Sequence, residues 1–224
     1  MKKAFTLTEV LITLTVIGVI AAITMPVISA NANRAASAEG CKKGFVVLSE
    51  ALELAKLNQP LDNWSFESEN TEDNYKRIKP FIRIQKECIN TTGCWATTTK
   101  ALSPNSSGLI SYFSSNGITN GCAKTVSFVT TDGMYMSMAN CKPFDYDTDT
   151  HERAKTIVFA VDTNGGKGPN RIGEDIFMYT LGKKELLPQG LTATNSNRRG
   201  NCSRSTGQGT DCTAVILKEG KINY

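Results

Sequence analysis

The stretch that decides the fold is MKKAFTLTEVLITLTVIGVIAAITMPVI, residues 1–28. Two lysines, Lys2 and Lys3, precede a run that is apolar apart from threonines, one glycine, one proline and the carboxylate of Glu9. This run is long enough to cross a bilayer as a helix, and lysines favour the cytoplasmic side for the end that carries them. A carboxylate within a membrane segment costs about 2.5 to 3.5 kcal/mol at the centre and less near an end. Glu9 is therefore expected to have a partner.

The residues around Glu9 resemble the leader of type IV pilins and type II secretion pseudopilins. The shared features are a small residue before a phenylalanine, the run FTLTEVLITL, and a later glycine and proline, at Ala4, Phe5, Gly18 and Pro26. In that family a prepilin peptidase cuts before the phenylalanine and methylates the new amine. The resemblance therefore implies cleavage between Ala4 and Phe5 and N-methylation of Phe5. Ala4 departs from the glycine that usually precedes the cut.

Cleavage there would make Glu9 the fifth residue of the mature chain, where the family carries its glutamate. The amine of Phe5 on one subunit would then neutralise Glu9 on the next, and removing one member of such a buried pair costs about 3 to 5 kcal/mol. The implied partners are prepilin peptidase, other pilin or pseudopilin subunits and the inner-membrane assembly platform. The implied location is a single pass through the inner membrane with a cytoplasmic N-terminus and a periplasmic or extracellular head, followed by a pilus or pseudopilus.

Two other interpretations of the N-terminal segment stay open. Ala30, Asn31 and Ala32 form a site for an ordinary signal peptidase, and a cut after Ala32 would release a soluble extracellular binding module. The apolar region is longer than the about 7 to 15 residues usual in signal peptides and contains Glu9, which favours the prepilin interpretation. Alternatively, Glu9 simply lies at the membrane interface. A minor pilin at the filament tip is the remaining alternative role.

The helix is expected to continue beyond the membrane segment as an amphipathic helix. Phe45, Leu48, Leu52 and Ala55 recur at spacings of three and four, which is one apolar stripe, and a proline two residues after Asn58 ends it. Gly40 and Gly44 are expected to weaken it. The predicted organisation is a leader at residues 1–4, a helix at 5–57 with a membrane and assembly half at 5–28 and an amphipathic half at 29–57, and a globular head at 58–224.

Strand signals dominate the second half of the chain. The dipeptide Asp132-Gly133 predicts a hairpin with a type I′ turn. The predicted strands are Thr125 to Thr131, Met134 to Asn140, Thr156 to Val161, Asp175 to Leu181 and a fifth at Ala214 to Leu217, with a short helix at Glu72 to Lys79 before them. An antiparallel sheet packed on the amphipathic half of a long helix is an α+β fold.

The segment DTNGGKGPNRIGE, residues 162–174, is the second informative stretch. Oxygen ligands at short spacing come from Asp162, Asn164, Asn170 and Asp175, and the glycines allow a tight loop. Calcium takes about six to eight such oxygens, and the major pseudopilin of type II secretion holds calcium in a comparable late loop. The chain therefore carries a candidate calcium site. The alternative is a turn in which the Asx side chains bond their own backbone.

Seven cysteines, without the CxxC spacing of zinc ribbons, indicate an oxidising compartment because all follow the membrane segment. Nearest-neighbour pairing gives the candidate disulfides Cys88–Cys94, Cys122–Cys141 and Cys202–Cys212, although six cysteines allow other connectivities. Cys41 is left over, either buried or reactive. The Cys202–Cys212 loop contains no apolar core residue and is expected to be a surface loop.

Catalysis and nucleic-acid binding find little support in the sequence. The one histidine, His151, lies in an acidic polar run, and no phosphate-binding loop or hydrolase motif is present. The net charge is +4, which becomes about +2 once Lys2 and Lys3 are removed, and this argues against general binding of nucleic acid. A basic cluster of Arg198, Arg199 and Arg204 is expected to be solvated, and the alternative is contact with DNA or another anionic surface. A structural subunit that is not an enzyme is therefore predicted.

Overall fold

A computed structural model describes residues 6–106, 113–119, 122, 124–141, 156–181, 185–191 and 201–224. The chain divides into two compact units, Met1–Ala36 and Ser37–Tyr224. The helices are α1 (Leu7–Asn58), α2 (Thr71–Ile78) and α3 (Cys212–Glu219). The strands are β1 (Ile84–Ile89), β2 (Phe113–Ser114), β3 (Gly117–Ile118), β4 (Val126–Thr130), β5 (Tyr135–Cys141), β6 (Thr156–Asp162), β7 (Ile176–Leu181) and β8 (Leu186–Pro188).

Six strands form one antiparallel sheet in the order β1-β4-β5-β6-β7-β8, and β2 pairs separately with β3. The prediction of a long helix and an antiparallel sheet, an α+β fold, is confirmed. The pairings of β4 with β5 and of β6 with β7 match the two predicted strand pairs. The edge strand β1 was not predicted, because Gln85, Lys86 and Glu87 are at or near the surface and give it a polar sequence.

The predicted type I′ turn between β4 and β5 is wrong. Only Gly133 has a positive φ, at 87°, whereas a type I′ turn needs positive φ at both central residues. The backbone N–H of Gly133 donates to the carbonyl of Thr130 at 2.9 Å. This is a three-residue connection with its left-handed residue at the end, so glycine is needed at one position and Asp132 keeps an ordinary backbone conformation.

The predicted fifth strand at Ala214 to Leu217 is also wrong, because these residues lie within α3. A run of four apolar residues has no period that separates strand from helix. The residues that follow the run favour a helix. Gly220 ends α3 in the left-handed conformation at φ 76°, and its N–H donates to the carbonyl of Ile216 at 2.7 Å. Ile216 is fully buried in the main core.

The main core lies between the second half of α1 and one face of the sheet. Leu48, Leu52 and Ala55 of the predicted stripe are buried there with side chains of β4 to β7, and Phe45 is partly buried against them. Gly40 and Gly44 bring the helix close to β6: a Cβ on Gly40 would lie 2.6 Å from Cβ of Thr163, and one on Gly44 would lie 3.1 Å from Val161. These glycines therefore permit close packing.

A second core covers the opposite face of the sheet. Its members come from β2, β3 and the loops around them as well as from the sheet, and Trp95 stacks on Phe113 with ring centroids 5.7 Å apart. Both faces of the sheet are thus covered within the unit Ser37–Tyr224. The candidate calcium ligands lie at the end of β6, with Asp162, and in the connection from β6 to β7, with Asn164, Asn170 and Asp175.

Candidate functional site

The N-terminal end of α1 is closed by a capping box formed by Thr6 and Glu9. The Glu9 carboxylate accepts hydrogen bonds from the backbone N–H of Thr6 at 2.9 Å and from its hydroxyl at 2.8 Å. In return the Thr6 hydroxyl accepts the backbone N–H of Glu9 at 3.3 Å. Such reciprocal bonds satisfy donors that a helix start leaves unpaired. The spacing T-x-x-E in TLTE, residues 6–9, is the sequence signal of such a box and was not among the predictions above.

The first half of α1 carries an apolar surface. Leu11, Ile17 and Ile23 are each more than half exposed, and an 18-residue window of the helix has a mean hydropathy of 2.5 with none of it buried. By length and composition, α1 is able to cross a membrane. Threonine hydroxyls on this stretch donate to the preceding turn, as Thr15 does to the carbonyl of Leu11 at 2.8 Å. The threonines therefore add little polarity to the apolar surface.

The β6–β7 loop is organised around the carboxylate of Asp175. This carboxylate accepts the backbone N–H of Asn170 at 2.8 Å, the backbone N–H of Arg171 at 2.6 Å and the side-chain amide of Asn164 at 3.2 Å. Asn170 has a positive φ of 52°, which asparagine tolerates better than most residues. Asp175 thus draws three predicted positions, 164, 170 and 175, into one cluster.

The same cluster contains three buried oxygen atoms that have no hydrogen-bond partner. They are Oδ2 of Asp162, Oδ1 of Asn164 and Oδ1 of Asn170. The amide of Asn164 is fixed in orientation, since its nitrogen donates both to Asp175 and to the carbonyl of Gly168 at 2.9 Å. A buried oxygen without a donor loses about 1 to 3 kcal/mol of solvation. Three such oxygens in one loop form a set of ligands suited to a hard cation.

The two carboxylates of the loop are electrostatically unfavourable without a cation. Burial, together with repulsion from Asp175, raises the pKa of Asp162 to about 8. Burial also raises the pKa of Asp175, although the two backbone N–H groups that it accepts oppose the rise. Among the described residues no group of three or more His, Cys, Asp or Glu side chains is placed to hold a metal ion. A cation here would therefore depend on amide oxygens as well as on Asp162.

The cysteines of the described chain form the three nearest-neighbour disulfides, Cys88–Cys94, Cys122–Cys141 and Cys202–Cys212. Cys41 is buried and free, and it accepts a hydrogen bond from the hydroxyl of Tyr179 at 3.4 Å. Burial raises the pKa of the Cys41 thiol to about 12, so it is an unreactive core residue.

The expectation of a surface loop at Cys202–Cys212 is wrong in one respect. Gly207, Gly209 and Thr210 are buried, because this loop packs against the β6–β7 loop. Arg204 is likewise not a free cation, since it pairs with Glu174.

Several predicted residues lie outside the described part of the chain. These are Ala4 and Phe5 of the cleavage site, the polar run around His151, and Arg198 and Arg199 of the basic cluster. Their predicted roles stay predictions.

An apolar helix with a glutamate in its first turn, whose second half packs on an antiparallel sheet next to three disulfides, is a pilin-like α+β architecture. Residues 1–25 match the family model described as the prokaryotic N-terminal methylation motif, the signature of type IV pilins and pseudopilins. The predicted resemblance of the segment around Ala4, Phe5 and Glu9 to a pilin leader is thus confirmed. Comparisons with curated proteins and with solved structures gave no match.

Proposed function

We propose that this chain is a prepilin subunit that is cleaved between Ala4 and Phe5, methylated on Phe5, and polymerised through α1 into a type IV pilus or a type II secretion pseudopilus. The observation that carries the proposal is the methylation motif at residues 1–25, together with the exposed apolar surface that follows it. The partners are prepilin peptidase, other pilin or pseudopilin subunits and an inner-membrane assembly platform. The head is delivered to the periplasm or the cell exterior.

The capping box gives Glu9 a definite role in this process. In the single chain its carboxylate is already satisfied by Thr6. The amine that cleavage creates on Phe5 is a charged donor, and hydrogen bonds to charged groups are stronger than neutral ones. Assembly therefore exchanges a neutral hydroxyl for the amine of a neighbouring subunit, and unprocessed chains lack that amine at the required place.

The test is the N-terminal sequence and intact mass of the protein from its native host. A chain that begins at methylated Phe5 supports the proposal. A chain that begins at Asn33 contradicts it and makes the protein a secreted binding module. Filament incorporation of Glu9→Val is the second measurement, with Thr13→Val as a matched loss of one polar group in the same helix. Only Glu9→Val is expected to impair incorporation.

We further propose that the β6–β7 loop is a calcium site with Asp162, Asn164 and Asn170 as side-chain ligands. Asp175, which the sequence placed among the ligands, holds the loop through its three accepted N–H groups and has remaining lone pairs for the ion. The proposal rests on the three buried side-chain oxygens of Asp162, Asn164 and Asn170 that accept no hydrogen bond. Calorimetric titration of the full chain in detergent tests it, and binding is expected with calcium. An absence of heat at millimolar calcium would exclude the site.

A further inference from the structure

The β6–β7 loop is held on its outer side by the C-terminal segment 201–224. The two terminal guanidinium nitrogens of Arg204 donate to the carboxylate of Glu174 at 3.2 and 3.1 Å, and its Nε donates to the carbonyl of Tyr224 at 3.0 Å. The hydroxyl of Tyr224 in turn donates to the carbonyl of Gly173. Glu174 and Gly173 immediately precede Asp175, so these contacts act directly on the residue that organises the loop.

The Cys202–Cys212 disulfide loop packs against the same turn. A Cβ on Gly173 would lie 2.9 Å from Sγ of Cys212 and 3.0 Å from the carbonyl oxygen of Gly209. Gly173 itself has a positive φ of 82°. Backbone contact this close fixes the position of the turn only while residues 202–212 keep their shape, and the disulfide maintains that shape.

A third segment joins the two loops. The backbone N–H of Lys100 donates to the carbonyl of Asn170 at 2.8 Å, and the carbonyl of Lys100 accepts the N–H of Ile172 at 2.9 Å. Two residues further on, the N–H of Leu102 donates to the carbonyl of Gln208 at 3.1 Å. The candidate calcium loop, the disulfide loop and this segment thus form one hydrogen-bonded assembly.

We infer that Arg204 and the Cys202–Cys212 disulfide are positioning groups for the calcium site, so that calcium affinity depends on both although neither touches the ion. This inference rests on the calcium site proposed above. An organised loop binds more tightly because less conformational freedom is lost when the ion enters. Partners that orient metal ligands typically contribute about 10-fold to 100-fold in affinity.

Replacing Arg204 has opposite expected effects on calcium affinity, depending on whether its charge or its contact geometry matters. Removing a positive charge beside Glu174 would, by electrostatics alone, strengthen the binding of a cation. Loss of the bidentate contact between Arg204 and Glu174 would weaken calcium binding. Arg204→Lys keeps the charge and removes the fork, so it isolates the geometric contribution.

The experiment is calorimetric calcium titration of the full chain in detergent. Arg204→Ala is expected to weaken calcium binding about tenfold, and Arg204→Lys by a smaller factor. Arg77→Ala is the matched control, because Arg77 lies on α2 and contacts Asn63 and the ring of Trp64. Its calcium affinity should equal that of the native chain.

The disulfide is tested by Cys202→Ala/Cys212→Ala against Cys88→Ala/Cys94→Ala. The first double variant should bind calcium at least tenfold more weakly, and the second should bind as the native chain does. If Cys202→Ala/Cys212→Ala does not fold, the calcium affinities of the two Arg204 variants test the inference without it. Failure of the native chain to bind calcium would overturn the site and this inference together. Binding by the native chain with unchanged or tighter affinity in Arg204→Ala and Arg204→Lys would overturn the inference alone.

Discussion

Replacing Asp162 with asparagine is expected to stabilise the calcium-free protein at alkaline pH and to abolish its response to calcium. Asp162 is fully buried, and its pKa is raised from 3.8 to about 8 by burial and by repulsion from Asp175. The folded state therefore binds more protons than the unfolded state between about pH 4 and pH 8. Stability falls as pH rises through this window, and the loss is complete above it.

The magnitude follows from the size of the pKa change. At about 1.4 kcal/mol per pKa unit, a rise of about four units corresponds to about 5 to 6 kcal/mol. We expect ionisation of Asp162 to lower the free energy of unfolding by about 2 to 4 kcal/mol, since relaxation of the loop reduces the cost of burying the charge. An asparagine has no charge to desolvate, so this cost is absent in the variant.

The assay is urea unfolding of the full chain in detergent at pH 5 and pH 9, first with a chelator and then with calcium. With chelator at pH 9, Asp162→Asn should be the more stable protein, while at pH 5 the two should be close. Calcium at 100 times its Kd adds about 2.7 kcal/mol to a protein that binds it. The native chain should gain this stability and Asp162→Asn should not, so that calcium removes or reverses the difference.

Asp175→Asn is the matched control within the same loop. An amide accepts hydrogen bonds at its oxygen but not at its nitrogen, so this variant leaves the backbone N–H of Asn170 or of Arg171 without its acceptor and should be less stable than the native chain at pH 5. Two results would refute the reasoning about Asp162: equal stability of Asp162→Asn and the native chain at pH 9 in chelator, or a retained calcium response in Asp162→Asn.

Three further predictions concern α1. Gly40→Ala should destabilise the protein by about 1 to 3 kcal/mol in thermal unfolding, because the new Cβ would overlap Thr163, whereas Gly18→Ala, which meets nothing within 4 Å, should not; equal effects would contradict the close packing. Tyr179→Phe removes the bond from its hydroxyl to the carbonyl of Cys41 at 2.7 Å and should cost about 1 to 2 kcal/mol in urea unfolding; an unchanged midpoint would show that this bond is not needed. Thr6→Ala should leave the melting temperature unchanged and increase the fraction of cleaved subunits found in filaments, because Glu9 then loses the competing hydroxyl and keeps only the backbone N–H of residue 6 as a donor in its own chain; reduced incorporation would show that Thr6 assists assembly.

Local patterns in the sequence were enough for much of the fold. The stripe at Leu48, Leu52 and Ala55 predicted the buried face of α1, and β-rich runs predicted the four strands β4 to β7 to within two residues. Each of these signals is contained within one element. The resemblance at residues 1–25 likewise needed only a short contiguous motif.

Features that depend on distant partners could not be predicted. Gly40 and Gly44 lower the helix propensity of α1. Their favourable effect, close packing of α1 on Thr163 and Val161, depends on residues more than 100 positions away in the chain. Asp175 was expected to be a ligand like the others, but the path of the loop directs two backbone N–H groups at it. The capping box is different, because its T-x-x-E signal is local but lies within an apolar run whose length is itself typical of a membrane helix.

The order of the sheet has a consequence for how the head forms. From β4 to β8 every strand pairs with the next one in the chain, and β1 completes the sheet beside β4. The disulfides are equally local, joining cysteines 6, 19 and 10 residues apart. In the prepilin pathway proposed above, the second half of α1 would cross the membrane before the strands, and each later strand would meet an edge that is already in place. Such a topology suits vectorial folding, since few segments wait exposed for a partner that has not yet emerged.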